Sequence, residues 1–202
     1  MKLIGATVLR FNKPGDAAPL LLSSAYDLSS FGFFQRGTVK DMCIFISRTL
    51  VERTALGLRQ SVQNQEYMCH VYLRGDGLGG VIICDMEYPG RVAFTVLNKI
   101  LNSFDDEFQQ DWKAAGIAEN SLNLKNFDAM IKEFQDPSAA DKLTKIERDL
   151  DETKIVLHNT IDSMLQRGEK LDQLVDRSTD LSRQSKVFYK QAKRQNSCCS
   201  IM

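Results

Sequence analysis

The sequence predicts an α+β domain followed by one long, polar C-terminal helix. Three observations carry that prediction. Short apolar runs alternate with amphipathic stretches as far as about residue 135. Asp136-Pro137-Ser138 then breaks the pattern. Beyond the break the chain turns charged and polar, with no proline and a single glycine, Gly168. A length of 202 residues fits one ordinary domain plus an appendage, and 43% hydrophobic residues is enough for a packed core.

Taken in order, residues 2–11 and 19–26 read as strands separated by the turn residues Asn12, Pro14 and Gly15. A helical stripe follows, with Val39, Met42, Ile46, Leu50 and Arg53 on one side, Thr38 as its expected N-cap and Gly57 as its stop. Residues 58–63 form a third strand. Residues 67–73 and 78–84 flank Arg74-Gly75-Asp76-Gly77, a hairpin signal because glycine supplies the positive φ of a tight turn. Pro89 precedes a second amphipathic helix carrying Val92, Val96, Ile100 and Phe104, and a third helical pattern covers about Leu122 to Phe134. The order is ββαβββαα, and one sheet with helices on both faces buries these stripes.

Composition excludes several functions. Zero net charge argues against nucleic acid, whose phosphates usually draw a basic excess. No apolar run reaches the roughly 20 residues of a membrane-spanning helix, and the run from Leu3 to Leu9 reads as a strand rather than a signal peptide. The cysteines at 43, 69, 84, 198 and 199 form no CxxC pair, so no zinc site is expected, and no Asn-x-Ser/Thr sequon occurs. These features suit a reducing, cytosolic setting.

The C-terminal helix has a seam. Alternate steps of three and four residues from Leu143 reach Ile146, Leu150, Thr153, Leu157, Thr160, Met164, Arg167, Leu171, Leu174, Ser178, Leu181, Ser185, Phe188, Ala192 and Gln195. Ten of these sixteen positions are apolar and four more are Thr or Ser, so the 3.5-residue period of a left-handed coiled coil holds throughout. Such a helix is roughly 80 Å long, too long for the first domain to cover, and should be unfolded or docked when alone. Periodicity by itself also fits a homodimer. Arg167 argues otherwise, because its guanidinium cannot lose its proton and two of them facing each other repel. Partners offering neutral acceptors such as Gln side chains would satisfy it.

The run from Leu150-Asp151-Glu152-Thr153 to Met164-Leu165-Gln166-Arg167-Gly168-Glu169-Lys170-Leu171 resembles the SNARE motif of the arginine-contributing, synaptobrevin-like class (R-SNAREs). The ββαβββαα region resembles a longin domain. Together they are similar to the prenylated longin R-SNAREs of ER–Golgi and vacuolar or lysosomal fusion. The resemblance implies a profilin-like longin domain over 1–135 with a five-stranded antiparallel sheet between helices, a SNARE coiled-coil motif over 138–197 and a lipidation tail over 198–202. It also implies a four-helix bundle with three glutamine-type (Q-SNARE) helices, in which Arg167 is the central polar layer and the other seam residues are the packing layers. No catalytic constellation or cofactor is expected. The implied location is the cytoplasm and the cytoplasmic face of Golgi, ER-derived vesicle and endosomal or vacuolar membranes.

Cys199-Ser200-Ile201-Met202 is a C-a-a-X box, and Met at X favours farnesyl on Cys199. One lipid chain binds membranes only marginally, so a second signal is needed. Cys198 is its expected site, for palmitoyl or, on the resemblance, a second prenyl group. Arg183, Lys186, Lys190, Lys193 and Arg194, with no acid after Asp180, add attraction to anionic lipid or form a solvated helix end.

Rival readings are weaker. C-a-a-X boxes also end small GTPases, but no GxxxxGK[ST] loop is present. Gly75 to Gly80 is followed by a strand where a dinucleotide fingerprint needs a helix. Cys69 and His70 are strand neighbours and point to opposite faces, and His158 reads as solvated. A lipidated coiled-coil adaptor that recruits partners without driving fusion is the alternative function. Phe31, Phe33 and Phe34 are either ordinary core or part of an apolar groove with Met42 and Phe45. Longin domains resembling this one fold back on their own SNARE segment and shield the lipid, so the groove is expected to be autoinhibitory. Off-seam Ile155, Ile161, Leu165 and Val175 suit that docking.

Overall fold

The computed structural model describes residues 2–12, 17–136, 138, 155–179 and 181–198. Strands β1 (Leu3–Arg10) and β2 (Leu20–Tyr26) lead to helix α1 (Arg36–Glu52). Strands β3 (Arg59–Asn64), β4 (Tyr67–Leu73) and β5 (Leu78–Asp85) precede α2 (Gly90–Phe108) and α3 (Phe127–Glu133). The ββαβββαα order is the one expected. A further strand, β6 (Ile155–His158), and helices α4 (Leu171–Arg177) and α5 (Arg183–Cys198) come from the C-terminal segment.

The sheet order is β2-β1-β5-β4-β3-β6. The first five strands pair antiparallel, and β6 joins the β3 edge in parallel. The sheet is thus six-stranded and mixed, the five expected strands gaining one from the tail. β1 and β5 are buried along almost their whole length, which is why they read as continuous apolar runs rather than alternating ones.

Each face carries its own core. On one, Phe94, Leu97, Ile100, Leu101 and Phe104 of α2, with Phe127 and Ile131 of α3, pack on Ala6, Val8, Leu78 and Ile82. The helix comes close here: a Cβ on Gly80 would lie 2.7 Å from a Leu97 methyl. On the other face α1 sets Val39, Met42, Ile46 and Leu50 against Ile4, Val71, Val81 and Ile83. Ile161, Leu171, Val175, Leu181 and Tyr189 from the C-terminal segment complete that core.

Local expectations shift in several places. α1 starts at Arg36 after a 3-10 turn over Phe33–Gln35, so Thr38 lies buried inside the first turn instead of capping it. The Gly32 N–H donates to Gln35 Oε1 (3.3 Å), and the Gln35 N–H donates to Gly32 O (2.8 Å), which fixes the earlier start. The helix stops at Glu52, and Gly57, with φ +80°, serves the turn into β3. The third helix is shorter than its pattern. Residues 120–124 run beside β2, where the N–H groups of Asn120 and Leu122 donate to Leu21 O and Leu22 O, and left-handed Asn126 separates them from α3.

The largest difference lies in the C-terminal segment. Its described part is a strand, a 3-10 turn (Ile161–Met164), a glycine turn and two helices, not one straight helix. Without partner helices, the apolar surface that the described part of the segment covers is the α1 face, and a straight rod would touch it only in passing. Chain reversals let more of the apolar residues reach it, and tertiary burial overrides a helical period. The seam residues Leu143, Ile146, Leu150 and Thr153 and the lipidation residue Cys199 lie outside the described residues, as do the side chains of Gln195 and Cys198.

Candidate functional site

The segment first engages the sheet edge. β3 is polar for a strand in this sheet, and its buried Gln60 and Ser61 need partners. Gln60 Nε2 donates to Thr54 Oγ1 (2.9 Å), and Gln60 Oε1 accepts from His158 Nε2 (2.7 Å). His158 is therefore not solvated as its sequence position suggests; it is half-buried and binds the β3 edge. The register pairs Gln60 with Val156 and Val62 with His158. Val156 and His158 are half-buried, and Ile155 and the seam residue Leu157 are exposed.

The chain then turns. Ile161 is buried, the Leu171 N–H donates to Asp162 Oδ1 (2.7 Å), and Gly168 at φ +92° lets the Glu169 N–H reach Gln166 O (2.9 Å). Arg53 Nη2 meets Glu169 Oε2 at 3.2 Å, so Arg53, expected on the buried stripe, pairs with the tail instead. Arg167 sits at the tip of this turn and is exposed.

α5 lies antiparallel along α1. Leu181 is near Ile44 and Phe45, Ser185 Oγ donates to Asp41 Oδ2 (3.0 Å), and Phe188 and Ala192 approach Gln35 and Val39. Asp172 joins α4 to α5, accepting from Tyr189 Oη (3.0 Å) and Lys193 Nζ (2.6 Å). Burial raises the Asp172 carboxyl, but the hydrogen bonds from Lys193 and Tyr189 outweigh it and hold the group below the usual carboxylate range. Burial and that carboxylate push the Tyr189 phenol well above its ordinary value.

Between α1, the sheet and α5 lies a cavity of about 290 Å³, lined mainly by Ile4, Phe31, Val39, Met42, Ile46, Cys69, Ile83, Phe188 and Ala192. Cys43 also lines it, but burial pushes its thiol up to about 12, which makes it a hydrophobe rather than a nucleophile. Cys69 faces this core, whereas His70 stacks edge-on against Phe94 on the opposite face, 5.3 Å between centroids. Among the described residues no cluster of His, Cys, Asp or Glu is arranged to hold a metal, and no helix is long and apolar enough to cross a membrane.

Of the groove residues, Phe31 and Met42 line the cavity and half-buried Phe45 packs where Leu181 docks. Phe33 and Phe34 stand outside it, 77% and 88% exposed. Of the docking residues, Ile161 and Val175 are buried, Leu165 is half-buried and Ile155 is exposed. Seam residues are used as well: Leu171, Leu181 and Ser185 are buried, and Met164, Leu174, Ser178, Phe188 and Ala192 are half-buried. Thr160 remains exposed. The sequence reading missed the polar latches Ser185–Asp41, Glu169–Arg53 and Asp172–Tyr189–Lys193. Only the polar character of β3 hinted that its edge would be covered.

The family model for the regulated-SNARE-like (longin) domain matches residues 28–131, and that for synaptobrevin matches residues 142–200. The chain belongs to the synaptobrevin-like longin SNAREs. It is 49% identical to the Synaptobrevin homolog YKT6 of Yarrowia lipolytica over the full length of both chains. VAMP-like protein YKT61 of Arabidopsis thaliana is also 49% identical, again over all of both chains. The Saccharomyces cerevisiae Synaptobrevin homolog YKT6 matches at 49% over 95% of this chain and 96% of its own. As an R-SNARE of membrane traffic the chain acts through assembly and is not an enzyme. In longin-SNARE terms, the described part of the SNARE motif is wrapped around the longin domain.

Proposed function

We propose that this R-SNARE drives vesicle–target membrane fusion when its C-terminal segment leaves the longin domain and zippers with three Q-SNARE helices. One observation supports the switch above others: Leu171, Leu181 and Ser185, buried against the longin face, are also layers of the coiled-coil seam. The same side chains cannot occupy both positions, so docking and assembly compete. Arg167 stays exposed in the docked form, ready to become the central polar layer facing glutamines.

Farnesyl on Cys199, with palmitoyl or a second prenyl group on Cys198, would anchor the zippered helix end in one bilayer while partner anchors sit in another. Packing along the seam would then draw the bilayers together. In the docked form the apolar cavity beside Phe188 and Ala192 lies close to the helix end that leads to these cysteines, and suits one isoprenoid chain. The protein would cycle between cytoplasm and the cytoplasmic face of Golgi, ER-derived and endosomal or vacuolar membranes.

The test mixes the full chain with three Q-type helices and follows helicity and stoichiometry. A 1:1:1:1 complex with a large helical gain, weakened by Arg167→Asp, is expected. Helix formation only as a homodimer would favour a lipidated adaptor. Phe45→Glu should speed assembly and move the lipidated protein to membranes; unchanged partitioning would contradict autoinhibition.

A further inference from the structure

Phe33 and Phe34 are among the most exposed large hydrophobic side chains described, at 77% and 88%. Their rings meet edge-to-face, 5.6 Å between centroids, so they form one apolar tip rather than two stray side chains. The tip is rigid. Gly32 and Gln35 close the 3-10 turn with reciprocal hydrogen bonds, Arg36 Nε donates to Phe31 O (3.2 Å), and the Phe31 N–H donates to Leu28 O (3.1 Å). The described part of the folded-back segment leaves the two rings uncovered, although Phe31, two positions earlier, lines the same cavity as Phe188 and Ala192.

Position supplies the occupant. α5 runs antiparallel to α1, so its C-terminal end travels toward the N-terminus of α1, where the tip sits. Ala192 and Gln35 line the same cavity, and six further residues of α5, about 9 Å of helix, reach Cys198. Residues 28–40 contain Arg36 and Lys40 but no acid, and both cations are exposed. An aromatic pair followed by two exposed cations, beside the end of a chain that carries lipid signals, is arranged to enter a bilayer interface.

We propose that the Phe33–Phe34 tip is a membrane-interface anchor that seats the folded-back protein on anionic bilayers beside its own C-terminus. It rests on the lipid-anchor reading only for what brings the chain to the bilayer, and a substitute tether removes that dependence. The full chain carrying Phe34→Trp and a C-terminal hexahistidine is bound to phosphatidylcholine–phosphatidylserine vesicles containing a nickel-chelating lipid and brominated phosphatidylcholine. Trp112, the single native tryptophan, is buried and sets a constant background.

The expected result is a blue shift and loss of emission from the indole introduced by Phe34→Trp. Leu56→Trp, an exposed position at the other end of α1, should show neither. In untagged, farnesylated protein, Phe33→Ser with Phe34→Ser should lower vesicle partitioning by about tenfold or more. Quenching of the tethered protein supports the tip even if the farnesylated chain fails to reach vesicles, an outcome that would count against the lipid reading alone. Tethered protein without shift or quenching would overturn the proposal. So would a solution dimer of this chain that dissociates when both rings are removed.

Discussion

The two faces of the sheet are closed by different means. The α2–α3 face is sealed by helices that follow directly in the domain, with Phe94, Phe104, Trp112 and Phe134 almost wholly buried. The α1 face is sealed in part by residues 155–192, which return from beyond a long stretch of chain and hold on through one parallel strand, a few apolar side chains and partly exposed polar latches. One cover is built into the domain, and the other, on the function proposed above, is the one that leaves. On that reading, release of the tail should leave the domain folded, because the α2–α3 core draws no described residue from the tail.

Breaking the built-in face should cost most. Phe104→Ala should destabilise the whole domain by about 3–5 kcal/mol, read as a lower urea midpoint for every probe. Val175→Asp, on the tail-covered face, places a charge among apolar side chains. It should expose amides 155–192 to hydrogen exchange while those of β1 and β5 stay protected. Loss of protection throughout would show that the two faces are not separable.

Acid should also divide them. Burial lowers His70, on the α2 side, to about 4 from its ordinary 6.5. Below pH 6.5 the unfolded chain binds a proton that the folded chain refuses. Stability is therefore full above pH 6.5 and falls by up to about 3 kcal/mol as pH drops to about 4. Urea midpoints across that window should show the decline, and His70→Gln should flatten it. The smallest effect belongs to Glu169→Gln, which removes a partly exposed ion pair. It should favour release by no more than about 1 kcal/mol, with a difference that shrinks as salt rises.

Much of the longin fold was legible in the chain. β4 spans the residues its apolar run and flanking turn signals indicate, because hairpin register follows local rules. β6 was not legible. Ile155-Val156-Leu157-His158 falls in register with the seam and reads as helix, yet the open edge of β3 recruits it as a strand. In the groove, apolar character identified Phe31, Met42 and Phe45 but could not separate them from Phe33 and Phe34. The orientation of those two rings is set by a 3-10 turn held by the Gln35 side chain, a tertiary detail without a period. The latches were invisible for a similar reason: Ser185 and Asp41 are 144 positions apart.

Docking on α1 and assembly into a bundle should exclude each other, because both use Leu171, Leu181 and Ser185. Ser185 Oγ and Asp41 Oδ2 lie 3.0 Å apart, so Asp41→Cys with Ser185→Cys, in a chain carrying Cys198→Ser and Cys199→Ser, should close into a disulfide on oxidation. Mixed with three Q-type SNARE helices, the oxidised protein should fail to assemble, and reductant should restore the complex. Equal assembly before and after reduction, in protein shown to be cross-linked, would contradict the account.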